Sequence, residues 1–169
     1  MQNFNLPKAL ETLKTNHYLG LEVQDRYYVI LEANQEETIA KFKDYQNSFE
    51  LILDSSNRLE SYIAELNPLA YDIIDFSEKP IVLISIGGKN LAPSAIMPDS
   101  SIQIRVVREG ELQQFIRKFR MPILLCAIND EDISMLDESN TFKCIMQDAF
   151  LESSLIRLDP NGRVEILRS

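Results

Sequence analysis

The stretch that most constrains the fold is Pro122 to Asp130, PILLCAIND, with a strand read over PILLCA. A proline leads into a run without a charged residue, too short for an ordinary buried helix and of the right length for a buried strand. The run then ends at Asn129 and enters acids, and strands of α/β proteins that end in this way often carry a ligand site at the carboxyl end. Further strands are expected at residues 18–23, at 27–32 (YYVILE), at 49–53 (FELIL), at 80–85 (PIVLIS) and at 101–107 (SIQIRVV).

Segments of helical spacing alternate with these strands. Residues 7–15 place Ala9, Leu10 and Leu13 on one face, and residues 36–45 do the same with Ile39, Phe42 and Tyr45. After DSSN, Asn57 is the expected N-cap, with Glu60 three residues on and Leu59, Ile63 and Leu66 as the buried stripe. A further helix is expected over 67–75, and EGELQQFIRKF presents Leu112, Phe115, Ile116 and Phe119 as an amphipathic face. Helical signals are weak over 131–149. The C-terminal segment reads as a hairpin, with Asp159-Pro160-Asn161-Gly162 as its turn and Asn161-Gly162 suited to positive φ. Strands interleaved with helices predict an α/β domain over residues 1–169, its sheet mixed because of the hairpin.

Composition narrows the function. The 169 residues are 45% hydrophobic and 25% charged, with a formal net charge of −9, which disfavours broad binding to phosphate backbones unless bases cluster. One cluster exists: Arg105, Arg108, Arg117, Lys118 and Arg120 face only Glu109 and Glu111 in sequence, while residues 130–138 hold five acids and no base. Two cysteines, Cys126 and Cys144, belong to no C-x-x-C pair and are expected to be buried thiols. His17, the sole histidine, is expected at the surface or at a strand start. No window is long and apolar enough for a bilayer and MQNFNLPKAL lacks the pattern of a secretory signal, so a cytoplasmic protein without membrane partners is expected.

Local motifs are sparse. SIGGKNLAPS at 85–94 places two glycines beside Lys89 but departs from the phosphate-loop pattern, because Asn90 follows the lysine; it reads as a strand-to-helix loop. Paired acids such as Glu36/Glu37 and Asp130/Asp132 fall at helix starts, where the dipole favours them.

The longer pattern is more informative. KPIVLISIGGKNLAP, SIQIRVV, FRMPILLCAIND and SSLIRLDPNGRVEILRS, in this order, resemble segments of the YrdC-like family, the threonylcarbamoyl-AMP synthases of tRNA modification. The resemblance runs from about Leu13 to Ser169 and implies a YrdC-like twisted mixed β-sheet flanked by helices. It places Arg105, Asn129, Ser153, Ser154 and Arg168 at nucleotide- or RNA-binding positions, and leaves Lys43 as the one base near the family's K-x-R.

The same resemblance shows losses. The family's PTDT falls on Glu22, Val23, Gln24 and Asp25, its YGLG on Tyr27, Tyr28, Val29 and Ile30, and Asp44, Tyr45 and Gln46 offer no arginine beside Lys43. The threonine of PGPvT is Val82 and the serine of S-x-N is Ala127. Each lost hydrogen bond to a charged group costs about 1.5–3 kcal/mol, so three or four losses weaken ATP binding by several powers of ten. The resemblance therefore implies a retained scaffold with an eroded site, in which ATP and Mg²⁺ are expected only if the ancestral site is kept. The expected roles are nucleotide or RNA binding (tRNA or double-stranded RNA) without the synthase reaction, a non-catalytic module for a protein partner, or an active synthase with a rearranged site.

Overall fold

In the computed structural model, which describes residues 1–144 and 153–169, the apolar runs lie in the middle of one ten-stranded sheet. The strands are β1 (Gln2–Asn3), β2 (Tyr18–Val23), β3 (Arg26–Glu32), β4 (Glu50–Leu53), β5 (Ile81–Ile86), β6 (Ser101–Val106), β7 (Ile123–Ile128), β8 (Thr141–Lys143), β9 (Ser154–Leu158) and β10 (Val164–Arg168). The helices are α1 (Leu6–Asn16), α2 (Glu36–Ala40), α3 (Leu69–Asp75) and α4 (Gly110–Phe119).

The strand order is β1-β8-β2-β3-β7-β4-β6-β5-β9-β10. Four neighbouring pairs are parallel (β1 with β8, β8 with β2, β4 with β6, β5 with β9) and the others antiparallel, so the sheet is mixed well beyond the terminal hairpin.

Strand parity divides the side chains between two cores. On one face Leu31, Leu51, Leu83, Ile104, Leu124 and Cys126 pack with residues of α2, α3 and the loops beside them, such as Ile39, Leu59, Ala70 and Ile74. On the other, Leu19, Leu21, Ile30, Ile52, Ile123 and Phe142 meet Ala9 and Leu13 of α1 and Leu112, Phe115 and Ile116 of α4. This second core is built from β2, β3, β4, β7 and β8. Towards β6, β5, β9 and β10 the same face carries Gln103, Arg105 and Arg168 beside the apolar Val82, Ile84 and Leu155, and there part of it lines a cavity.

Local chemistry explains the element ends. Asn5 caps α1 by accepting a hydrogen bond from the Lys8 N–H at 3.1 Å, Pro7 sits in the first turn, and His17 closes the helix in a left-handed conformation, φ 65°. His17 thus precedes β2 and reaches Glu32 of β3, with Nδ1 2.7 Å from the carboxylate. The β9–β10 turn closes as expected, but only Gly162 takes positive φ (89°); Asn161 instead accepts the Arg163 N–H through its side chain at 3.1 Å.

Two expectations need correction. The helix expected after DSSN is a 3-10 helix, Ser56–Ser61, capped by Ser55, which accepts the Asn57 N–H at 3.2 Å; Asn57 lies inside it. Leu59 and Ile63 are buried as expected, but Ile63 forms an antiparallel bridge with Gly88, which ends helical winding before Leu66. Residues 36–45 divide into α2 and a 3-10 helix, Lys43–Ser48, that still buries Ile39 and Phe42. Over 131–149, where helical signals are weak, Asp130–Met135 and Glu138–Asn140 are 3-10 turns and Thr141–Lys143 is strand β8; the part from residue 145 lies outside the described residues. Among the described residues no helix is long and apolar enough to cross a membrane.

Candidate functional site

The open part of the sheet is where the expected binding residues gather. In β6 Ile102 and Ile104 turn into the first core, so Gln103 and Arg105 turn to the open face. Across the ladder Arg105 is opposite Ile52 of β4 and Val82 of β5, and Leu155 of β9 and Arg168 of β10 continue the row. Glu50 of β4 stands opposite Gln103, one row away.

Arg105 therefore reaches Glu50 diagonally. Its Nε donates to Glu50 Oε2 at 2.7 Å and its Nη2 to Oε1 at 3.1 Å, a two-pronged pair with side chains only 9% and 19% exposed. The same Nη2 donates to Ser153 Oγ at 3.3 Å. Arg168 approaches that serine from the edge strand, with Nε 2.8 Å from the Ser153 carbonyl and Nη2 3.1 Å from Oγ. The Ser153 hydroxyl thus accepts from two guanidinium groups, which leaves its O–H to donate.

Arg105 and Arg168 border a cavity of about 350 Å³, with Tyr28, Glu50, Gln103 and Ala127 also in its wall, while Ser153 is buried behind them. That volume is in the range of small-molecule sites. Arg105 also borders a second cavity, of about 410 Å³, at the start of β5 and the end of β6, where Ser77, Lys79, Arg108 and Glu109 contribute.

Of the six sequence candidates, the structure brings three together: Arg105, Ser153 and Arg168. Ser154 shares strand parity with Ile156 and Leu158, which belong to the opposite face, and its N–H donates to the Pro80 carbonyl at 3.0 Å. Lys43 is exposed on its 3-10 helix and lines neither cavity. Asn129 is exposed beyond the end of β7, and its N–H donates to the Tyr45 hydroxyl at 3.1 Å, which in turn donates to Asp132. The Asp132 hydrogen bond, followed by burial, raises the Tyr45 pKa and keeps the phenol protonated.

The carboxyl end of β7 gives the cavity only Ala127, exposed on the open face. Cys126 faces the other core, where burial, followed by the Glu50 charge, pushes its thiol up to about 12. Such a thiol is not a nucleophile at neutral pH. Both cysteines are free and buried, as expected. Gln24 and Asp25, at the family's PTDT positions, form the β2–β3 turn with φ of 51° and 63°. Among the described residues no group of three or more His, Cys, Asp or Glu side chains is placed to hold a metal ion.

The sequence cluster of bases is divided in space. Arg105 lies in the sheet, Arg108 donates to the Ser77 carbonyl at 3.1 Å, and Arg117 of α4 lies 3.3 Å from Asp54. Arg117, Lys118 and Arg120 share an exposed recess with Gln114. Glu50, Gln103 and Tyr28 were missed as site residues; their signal was parity, since each stands two positions from a residue of the second core or from Arg105 on the same face of its strand.

No protein-family model and no curated protein matches the chain. Solved structures do. Full-length HypF, in a phosphate- and nucleotide-bound form, matches 96% of this chain with a TM-score of 0.70 at 12% identity, over 28% of its own length. E. coli YciO matches 99% with a TM-score of 0.70 at 13% identity, over 91% of its length. P. abyssi Sua5, as its H234A/Y235A variant, matches 96% with a TM-score of 0.69 at 13% identity, over 52% of its length. The chain has the YrdC-like fold. It spans about a quarter of HypF and half of Sua5, and nearly all of YciO. At these identities the YrdC-like likeness is one of fold, and the chemistry of the cleft rests on the residues described above.

Proposed function

We propose that this chain is a YrdC-like domain that binds a nucleotide-class small molecule in its open-face cleft and does not run the threonylcarbamoyl-AMP synthase reaction. The observation that carries the reading is the pairing of Arg105 and Arg168, both lining a cavity of about 350 Å³, through the buried Ser153 hydroxyl that they share. HypF, a protein of the same fold, has been seen in a phosphate- and nucleotide-bound form, which supports nucleotide as the ligand class.

The missing reaction is argued from what the cleft lacks. A triphosphate needs several convergent cations or a metal. Lys43 stands outside the cleft, and Arg105 already spends Nε and Nη2 on Glu50. Val82 and Ala127 present methyl groups where the family has hydroxyls. RNA binding has less support, because the bases of residues 105–120 do not form one continuous patch.

The test is an assay of the purified protein with ATP, L-threonine and bicarbonate under Mg²⁺. The expected outcome is no AMP-linked threonylcarbamate. Its formation, lost in Arg105→Ala, would establish an active synthase and overturn the reading.

A second reading, a protein-interaction module, is favoured by one observation. Edge strand β10 leaves Val164, Ile166 and Leu167 exposed by 43%, 65% and 48%. Exposed apolar edges are sites of strand addition. If this reading holds, affinity capture from the native cell extract recovers a stoichiometric partner that Ile166→Lys releases.

A further inference from the structure

The Glu50–Arg105 pair reaches past ligand class to ligand charge. Resting on the nucleotide reading above, we propose that Glu50 is a specificity-determining residue: it cancels Arg105 and restricts the cleft to small molecules with a single anionic group, excluding polyphosphates.

Three observations carry this. First, the pair is fixed by the sheet. Glu50 and Arg105 are diagonal neighbours on adjacent parallel strands, joined at 2.7 and 3.1 Å, and both are largely withdrawn from water. An ion pair so placed is not opened cheaply by a competing anion, because Glu50 would then be a partly buried carboxylate without its counter-charge.

Second, among the described residues the lining of the 350 Å³ cavity has three charged residues, Glu50, Arg105 and Arg168. These three sum to one formal positive charge, carried in effect by Arg168. Third, the adjoining cavity offers no relief. Apart from the shared Arg105, its lining holds Glu78 and Glu109 against Lys79 and Arg108, acids and bases in equal number. A polyphosphate tail extended from the first cavity into the second gains no further net counter-charge. Removing the Glu50 charge would unmask Arg105, and one uncompensated charge at about 6 Å in a partly screened setting changes affinity on the order of tenfold to a hundredfold.

The neutral neighbours fit a compact ligand. Gln103 holds the Asn47 carbonyl at 2.7 Å and so sets one wall, while Tyr28, Ile84, Leu125 and Leu155 offer apolar surface to an uncharged body such as a base or an acyl group. One anionic head at Arg168, with an uncharged body over the sheet, is the ligand this surface matches.

The experiment is titration calorimetry of AMP and ATP, without metal, into the wild-type chain, Glu50→Gln and Gln103→Lys. Gln103→Lys adds a positive charge opposite Glu50 and keeps the Glu50–Arg105 pair, so it tests the charge balance even if Glu50→Gln fails to fold. Wild type is expected to bind AMP more tightly than ATP. Each variant is expected to shift that preference towards ATP by about tenfold or more. If nucleotides bind but the AMP-to-ATP ratio is unchanged in a natively folded Gln103→Lys protein, the role of Glu50 is overturned and nucleotide binding stands. If neither nucleotide binds any of the three proteins, the nucleotide reading fails, and the proposal with it.

Discussion

At the scale of single residues, the molecule depends on the Glu50–Arg105 pair and the serine beside it. Arg105→Ala leaves Glu50, 19% exposed, without its counter-charge and should cost on the order of 3 kcal/mol, read as a lower urea midpoint at unchanged slope. Replacing both residues by methionine should cost much less than the sum of the single changes, since an apolar pair needs no counter-charge. Additive costs would show that the two side chains do not act as a pair. Cys126 gives a second prediction. A thiol held up near 12 contributes stability that is fully present below its ordinary value of 9.0 and is lost as pH rises through the folded value. The native chain should resist a thiol reagent at pH 8, release both thiols on denaturation and lose stability above pH 9, a loss that Cys126→Ala should reduce. Rapid native labelling of Cys126 would contradict the burial described.

Element by element, the strands were the legible part of the sequence. Every apolar run of four residues or more became a strand, because a buried strand needs apolar cover on both faces and only such runs supply it. β1 and β8 were not legible: strands of two and three residues carry no period, and they form because β2 offers β8 a parallel partner. That docking imposes close contact. A Cβ added at Gly20 of β2 would lie 2.6 Å from Thr141 Oγ1 and 2.9 Å from Leu136. Gly20→Ala should therefore destabilise the protein by about 1–3 kcal/mol, although alanine usually suits a strand at least as well as glycine. A neutral or stabilising effect in chemical denaturation would mean that β8 does not pack against β2 in this way. The 3-10 helices escaped the sequence reading for a related reason: buried positions within or beside them, Leu59 and Phe42, have helical spacing, and the turn that stops Ser56–Ser61 arises from the distant pairing of Ile63 with Gly88.

For the whole molecule, the site was legible only in part. Arg105 lies far in sequence from Ser153 and Arg168, which the predicted hairpin brings together, and it meets them because β6, β5 and β9 are neighbours, an order that only a resemblance between chains could suggest. Glu50 carried no motif, and its role follows from cross-strand register. Acid stability is also a property of the whole fold. Hydrogen bonds from Ser101, first its side chain and then its backbone N–H, hold Asp99 below the ordinary carboxylate value of 3.8. A depressed carboxylate adds stability above that value and loses it as pH falls through the folded pKa. Asp99→Asn should thus lower stability at pH 7 and match wild type more closely below pH 3.8; an equal loss at both pH values would contradict the linkage.

The central claim is that a YrdC-like cleft persists as a small-anion site through Arg168. It is tested most directly by following the melting temperature of the wild-type chain and of Arg168→Ala while AMP is added. At about a hundred times its dissociation constant a ligand adds roughly 2.7 kcal/mol, a shift of several degrees for a domain of this size. The account predicts such a shift in wild type and its loss in Arg168→Ala. No shift at millimolar AMP, or an equal shift in both proteins, would contradict it.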